Sequence, residues 1–582
     1  MNKLILVLPA VIPLLSACEK STHTIPPQPS PQITACPSDS GAEKDYSPMA
    51  QSDLLAGVKA GKYQETFLEA FEQGDVIFGT NFTLEQGGGA YIGGSEKSHY
   101  TRIPRADLKN PGEWGDPNRK VKRPTGPNAQ SCVSCHSQPN EDGAGPTSAN
   151  VHRDHRFSGN PELMIQRNTP HLFGAGALQR LAEEMTEELY DVKDKAGKKA
   201  CATKSNIQQN LIAKGINFGY ITMTCESGTA TFNKGESKLE GLDPDWVIRP
   251  YEWKKSVTFL RDFMRHAGHN EIGMQGVELV GKEVDEDNDG VKNELSVGDM
   301  TAFTVYMAAQ PRPTTKIELD DLGILTGDQR ITPAEREQIK HGDQLFQQIG
   351  CTSCHKAELT LNNPVFQEPS EYEVYRDKKE DFNKADKVQV DLEAEGVLPE
   401  HPVRFDLTHD QPQNQLCKGK EKINLGAFEY KNGKTIVRLY GDLKRHWMGD
   451  ELAESIDELQ PTEKSTGDSN MSLNPYNPVN AIIGSENYTT QANHGKSTFG
   501  TEELWGVACT GPWLHDGRAT TLASAITSHG GEAAGSRDQF KGLPAKDQKD
   551  VIAFLGNQVL YMNTAEPGAT PSGLSSDCDV KN

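Results

Sequence analysis

A mainly α fold made of two tandem units is what three repeated features of this sequence predict. The run Cys132-Val133-Ser134-Cys135-His136 recurs as Cys351-Thr352-Ser353-Cys354-His355, 219 positions later. Ahead of each copy stands a Gly-Asp run ending in phenylalanine, Gly74 to Phe78 and Gly342 to Phe346. After each comes an apolar stretch at helical spacing that opens on aspartate, Asp299 to Met307 and Asp547 to Leu555. Self-similarity of this kind marks repeated structural units. In each unit two thiols three positions apart suit thioether bonds to one haem, and the histidine that follows suits an axial bond to its iron. A redox disulfide or half a zinc site would explain one such run. Two complete copies outside a thioredoxin-like or zinc-ribbon context argue for haem. The expectation is thus two cytochrome c-like haem domains with long irregular loops, holding two covalently bound c-type haems through Cys132, Cys135, His136, Cys351, Cys354 and His355.

Taken in order, residues 1–17 contain Lys3, an apolar run from Leu4 to Leu15 and then Ser16-Ala17 before Cys18, which reads as an export signal too short to span a membrane. Cys18 resembles the lipidated cysteine of a bacterial lipobox. With Glu19 beside it, the chain is expected to be exported and held by lipid, in the outer membrane, facing the periplasm or the cell surface. Residues 18–45 are rich in proline and serine and read as an extended spacer. The first haem domain is expected at 46–313, the second at 331–562, with Pro311 and Pro313 opening a linker and 563–582 a tail.

Charge and composition narrow the partners. The 582 residues carry 60 basic and 82 acidic side chains, a net charge of -22. Nucleic-acid binding needs a clustered cationic surface, so it is excluded. An acidic surface suits a small cationic electron donor, such as a small cytochrome or a cupredoxin. Only 35% of residues are hydrophobic, lean for two cores unless large apolar cofactors help fill them.

Of the 11 cysteines, Cys18 and the four motif cysteines are accounted for, leaving Cys36, Cys201, Cys225, Cys417, Cys509 and Cys578. Six cysteines allow about 15 pairings. Cys201 with Cys225 is expected because one short loop would close it. Ahead of the second motif, Thr332-Pro333-Ala334-Glu335 is a capping box with proline at the first helical position, so a helix should run from there toward Phe346. Phe346 precedes Cys351 by five positions, whereas Phe78 precedes Cys132 by 54. The extra chain, with Gly87-Gly88-Gly89 and Gly93-Gly94, reads as a long loop at the first haem that could shape a substrate entrance. Asp285, Asp287 and Asp289 stand at positions 1, 3 and 5 of a calcium-type loop, with Gly290 at 6 and the Val291 carbonyl at 7. Ser296 replaces the usual position-12 glutamate and Glu294 is its nearest substitute, so 285–294 is a variant Ca2+ candidate.

The two CxxCH motifs, Arg167-Asn168-Thr169-Pro170-His171-Leu172-Phe173-Gly174, Trp505-Gly506, Trp513-Leu514-His515-Asp516-Gly517-Arg518 and His529-Gly530-Gly531-Glu532-Ala533 resemble the di-haem cytochrome c peroxidase superfamily, and within it the di-haem oxidoreductases. The resemblance runs from about Phe78 to Leu560 and implies calcium between the haems. It also implies that His529, 14 positions after His515, is the sixth ligand of the C-terminal haem; His446 is the competing candidate, and a helix C-cap the competing role for His529. It further implies an N-terminal haem open to peroxide or oxygen, with the segment from Arg167 to Glu184 over it. Related oxidoreductases often carry glutamate where this chain has Gln179. Glu183 or Glu184 would then have to supply the acid, since a glutamine alone cannot move a proton between peroxide oxygens. The resemblance also offers Trp253 as an electron relay between the haems, with a packed core tryptophan the competing role.

The function expected is an oxidoreductase that reduces hydrogen peroxide, or another small molecule, with electrons passed from a donor through the C-terminal haem to the N-terminal haem. The alternatives are a haem-dependent oxidase or oxygenase of an organic or protein substrate, as in the rubber-cleaving di-haem dioxygenase, and a non-enzymatic electron carrier. The carrier would close the first haem with His152, His155 or His171.

Overall fold

The computed structural model describes residues 45–89, 100, 127–153, 164–379, 382, 388–418, 421–455, 495–565 and 571–580. Residues 1–44 with Cys18 and Cys36, the Gly93-Gly94 stretch, His155 and the side chain of Cys417 lie outside that set. Among the described residues no helix is long and apolar enough to cross a membrane.

The helices are α1 (Gln51–Lys59), α2 (Tyr63–Gly79), α3 (Ala175–Thr203), α4 (Leu260–Glu271), α5 (Val277–Val280), α6 (Val297–Ala308), α7 (Lys316–Asp321), α8 (Pro333–Gln348), α9 (Leu522–Thr527), α10 (Ala534–Gly542) and α11 (Ala545–Leu555). The repeat read from the sequence is a repeat of packing. In the first unit α2 lies against α6, and a Cβ on Gly74 would sit 2.5 Å from the Ala302 carbonyl oxygen and 2.3 Å from Cβ of Tyr306. In the second, α8 lies against α11, and a Cβ on Gly342 would meet the Asp550 carbonyl oxygen at 1.9 Å and Cβ of Phe554 at 2.9 Å. The same two helix positions cross at a residue with no side chain, so the backbones approach closely. Four residues on, the phenylalanines meet the motif histidines alike: Phe78 to His136 at 6.1 Å and 50°, Phe346 to His355 at 6.3 Å and 51°. The starts of α6 and α8 are fixed by side-chain caps. Thr332 accepts from Glu335 N, and Glu335 accepts from Thr332 N at 2.8 Å. Asp299 and Asp547 are each the third helical residue; Asp299 completes a capping box with Ser296.

The expected mainly α class is wrong. Among the described residues helix accounts for 39% and strand for 16%, the strands forming seven small sheets. The largest has four antiparallel strands, Ile207–Ala213, Ile216–Glu226, Thr229–Phe232 and Lys238–Leu239, laid on α3. The physical reason lies in two-residue turns that bring both central residues to positive φ, the geometry that suits the twist of paired strands. Lys214-Gly215, Ser227-Gly228 and Asn432-Gly433 all do so. The Cys201–Cys225 disulfide forms as expected and ties this sheet to α3; Cys509–Cys578 ties the C-terminal tail to the loop after Trp505.

The main core does not stop at the expected domain boundary. Leu54, Phe67, Phe78, Met185 and Phe303 share it with Leu361, Phe366, Phe405, Val437 and Trp505. A smaller core of Phe346, Leu522, Val551 and Phe554 supports the second motif. Nor is the linker loose: Thr314–Thr315 pairs with Gln558–Val559, and Arg312 is paired with Glu318 at 2.5 Å.

Candidate functional site: two cavities with a common wall

Each CxxCH motif packs against the first helix of its unit's crossing pair, α2 or α8, and lines a cavity of about 220 Å³. The first is walled by Phe78, Leu178, Met264, Phe303 and Trp505, the second by Phe346, Leu504, Leu522, Ile526 and Leu555, so both are apolar. None of the four motif cysteines is in a disulfide. Burial pushes the Cys351 thiol up to about 12 and the Cys132 thiol higher still.

The histidines are held the same way in both. His136 Nδ1 meets the Gly143 carbonyl at 3.2 Å, and His355 Nδ1 meets the Tyr440 carbonyl at 3.0 Å. A backbone acceptor on Nδ1 fixes the ring and leaves Nε2 to bind a metal. Burial lowers both imidazoles to about 4, with His529 adding to the effect on His355, so both are neutral, the form that ligates iron. His529 stands just past the C-terminus of α9, its Nδ1 on the Ala525 carbonyl at 2.8 Å, and lines the second cavity with His355. One side chain thus both satisfies the helix end and faces the cavity. His446 is otherwise engaged: its ring nitrogens meet Glu532 at 2.8 Å and Asp442 at 3.0 Å. Burial opposes its charge, but bonds to Asp442, Cys354 and Glu532 outweigh it and hold the imidazole protonated, pushed up to about 11. A charged imidazolium is no ligand. Unlinked thiols, carbonyl-oriented neutral imidazoles and apolar walls are a donor set that fits a c-type haem in each cavity.

Asn168, Thr169, Pro170, His171, Trp253, Glu502 and Glu503 line both cavities and form their common wall. Trp253 Nε1 donates to the Asn168 carbonyl at 3.1 Å, and His171 Nε2 meets the Trp505 carbonyl at 3.0 Å. His152 lines neither cavity. From Arg167 to Leu178 the chain does lie along the first cavity as expected, but the next turn of α3 leaves it. Gln179 donates to Glu183 at 3.0 Å and accepts from Leu260 N at 2.9 Å. Glu183 pairs with Arg180 and accepts from Ser370 at 2.7 Å; Glu184 pairs with Lys214 at 2.6 Å and accepts from Asn362 N and Asn363 N. All three are buried, and none lines a cavity. They join α3 to the segment around Asn363 and Ser370.

Asp285, Asp287 and Asp289 each bring a carboxylate oxygen within 4.8 Å of the others. Glu294 is not part of that group. It accepts from Gln275 N at 2.5 Å, and Ser296 is the N-cap of α6.

Sequence reading missed Lys255 and Glu503. Lys255 Nζ donates to the Pro250 carbonyl at 2.9 Å and pairs with Glu503 Oε1 at 3.4 Å, both side chains being 5% exposed. No spacing rule links residues 248 positions apart; the only local hint was charge beside Trp253 and Trp505.

Residues 486–558, which include Trp505, His515 and His529, match the family model described as "Di-haem oxidoreductase, putative peroxidase". No curated protein matches this chain. Among solved structures, one titled as Kuenenia stuttgartiensis hydrazine synthase pressurized with xenon is 12% identical, covering 91% of this chain and 100% of that one, at a TM-score of 0.29.

Proposed function

We propose that this chain is an exported di-haem c-type oxidoreductase that takes electrons from a small donor protein at the C-terminal haem and passes them to the N-terminal haem, where hydrogen peroxide is reduced. The observation that carries the reading is an asymmetry between twin cavities. The second presents two imidazoles held through Nδ1 with Nε2 left over, His355 and His529; in the first only His136 is held that way, since in His171 it is Nε2 that the Trp505 carbonyl takes. Cys132 and Cys135 would hold one haem and Cys351 and Cys354 the other; each haem would supply a one-electron iron couple. His136, His355 and His529 orient Nε2 through their carbonyl bonds. The aromatic and aliphatic walls exclude water, and Trp253, which lines both cavities, is the aromatic link between them. Asp285, Asp287 and Asp289 suit a Ca2+ ion, which prefers carboxylate oxygens.

An optical and EPR titration with hydrogen peroxide tests this, on oxidised and half-reduced protein, with a reduced small cytochrome as donor. Rapid peroxide loss with one high-spin haem is expected. Two low-spin haems indifferent to peroxide and cyanide would overturn it in favour of an electron carrier.

A further inference from the structure

Glu503 and Lys255 are an unusual pair to find in an apolar wall. Burying an ion pair costs several kcal/mol per ion before attraction repays it. Here the two atoms stand 3.4 Å apart, a long contact for such a pair, with Lys255 giving a shorter bond to the Pro250 carbonyl. The pair is nonetheless built for. A Cβ on Gly500 would fall 2.3 Å from Lys255 Cγ and 2.4 Å from Cε, so Gly500 leaves the channel through which the lysine reaches Glu503. Glu503 in turn lines both cavities, while Lys255 lines the first.

We infer that Glu503 is the proton acceptor of the wall: it binds a proton when an electron enters a cavity it lines, and releases it when the electron leaves. The inference rests on the two-haem reading above. The balance is simple. One electron from the donor converts ferric to ferrous iron, and one proton from solvent converts the Glu503 carboxylate to the acid, so the buried unit gains no net charge. Lys255 is the positioning residue that holds the carboxylate ready. The charged groups that act on Glu503 are Lys255 and Glu502; its own charge bears on Tyr251, and Asp442 acts on Lys255. Burial raises the Glu503 carboxyl well above its ordinary value, Lys255 opposes this and Glu502 reinforces it, so protonation is accessible near neutrality.

Spectroelectrochemical titration of the haem-loaded, full-length protein from roughly pH 5 to 9 tests the inference. One midpoint should fall as pH rises, by up to a tenfold change in the reduction equilibrium per pH unit, which is about 59 mV for one electron. Glu503→Gln should flatten that slope while Glu503→Asp retains one. Redox-difference infrared spectra of the unaltered protein give an independent reading: a protonated carboxyl band should appear on reduction. If the glutamine variant does not fold, that band alone decides. A preparation with two haems, pH-independent midpoints and no carboxyl band would overturn this inference and leave the two-haem reading intact. A preparation without two haems would overturn both.

Discussion

At the scale of single residues, several charges are buried where only their surroundings make them tolerable. Asp142 is fully buried beside the loop that receives His136, with Tyr306 donating to both its oxygens at 2.9 Å. Burial pushes its carboxyl up to about 8 against the pull of that hydroxyl. The folded protein therefore holds a proton there that the unfolded chain has released by pH 5. The stabilisation is complete below the ordinary aspartate range and is lost as pH rises toward 8. Asp142→Asn, which keeps an acceptor for Tyr306, should flatten this part of a melting-temperature profile against pH; parallel profiles would refute the assignment. His529 offers a second test. Replaced by methionine, it should raise the midpoint of one haem, because thioether ligation favours ferrous iron more than imidazole does. An unchanged midpoint in a protein with both haems would remove His529 from the ligand set. Glu184→Ala should act differently, costing about 3 kcal/mol in urea unfolding by removing the closest anion of Lys214, which keeps only the Thr360 carbonyl and a 3.8 Å contact with Glu188, without changing the haem spectra.

At the scale of elements, the glycine at each helical crossing is the most exposed to substitution. Gly342→Ala would press a methyl onto the Asp550 carbonyl, and the loss should be about 1–3 kcal/mol by chemical denaturation, with Gly74→Ala comparable. Tolerance of both would mean that the helices do not cross where the structure has them. These helices were legible because their signals are local: Thr332 and Glu335 cap across one turn, and Gly74 and Gly342 sit at matched places before a repeated motif. The motif residues were legible for the same reason, since all five are consecutive in each copy. The sheets were legible in principle through Asn432-Gly433 and the alternation Ile216-Asn217-Phe218-Gly219-Tyr220, signals weaker than the helical repeat. The Lys255–Glu503 pair was not legible, because nothing in either segment specifies the other. Glu183 and Glu184 misled because acidic residues on a helix near a cofactor motif look catalytic until their partners, Arg180, Ser370, Lys214 and Asn362, are seen.

At the scale of the whole molecule, the main core joins segments on both sides of residue 330, and the second cavity borrows Asn168 to His171 and Trp253 from the first half. Residues 331–562 expressed alone should therefore lack fixed tertiary structure by near-ultraviolet circular dichroism and expose apolar surface to a hydrophobic dye. A cooperative, native-like unfolding transition from that fragment would show the halves to be independent. The shared wall also sets an order of events. A wall drawn from both halves of the chain closes only when residues 168–171 and 502–503 have come together. On the two-haem reading proposed above, a bulky planar group would have to be seated before that closure, so a mutation that speeds folding should reduce the yield of haem-loaded protein rather than improve it.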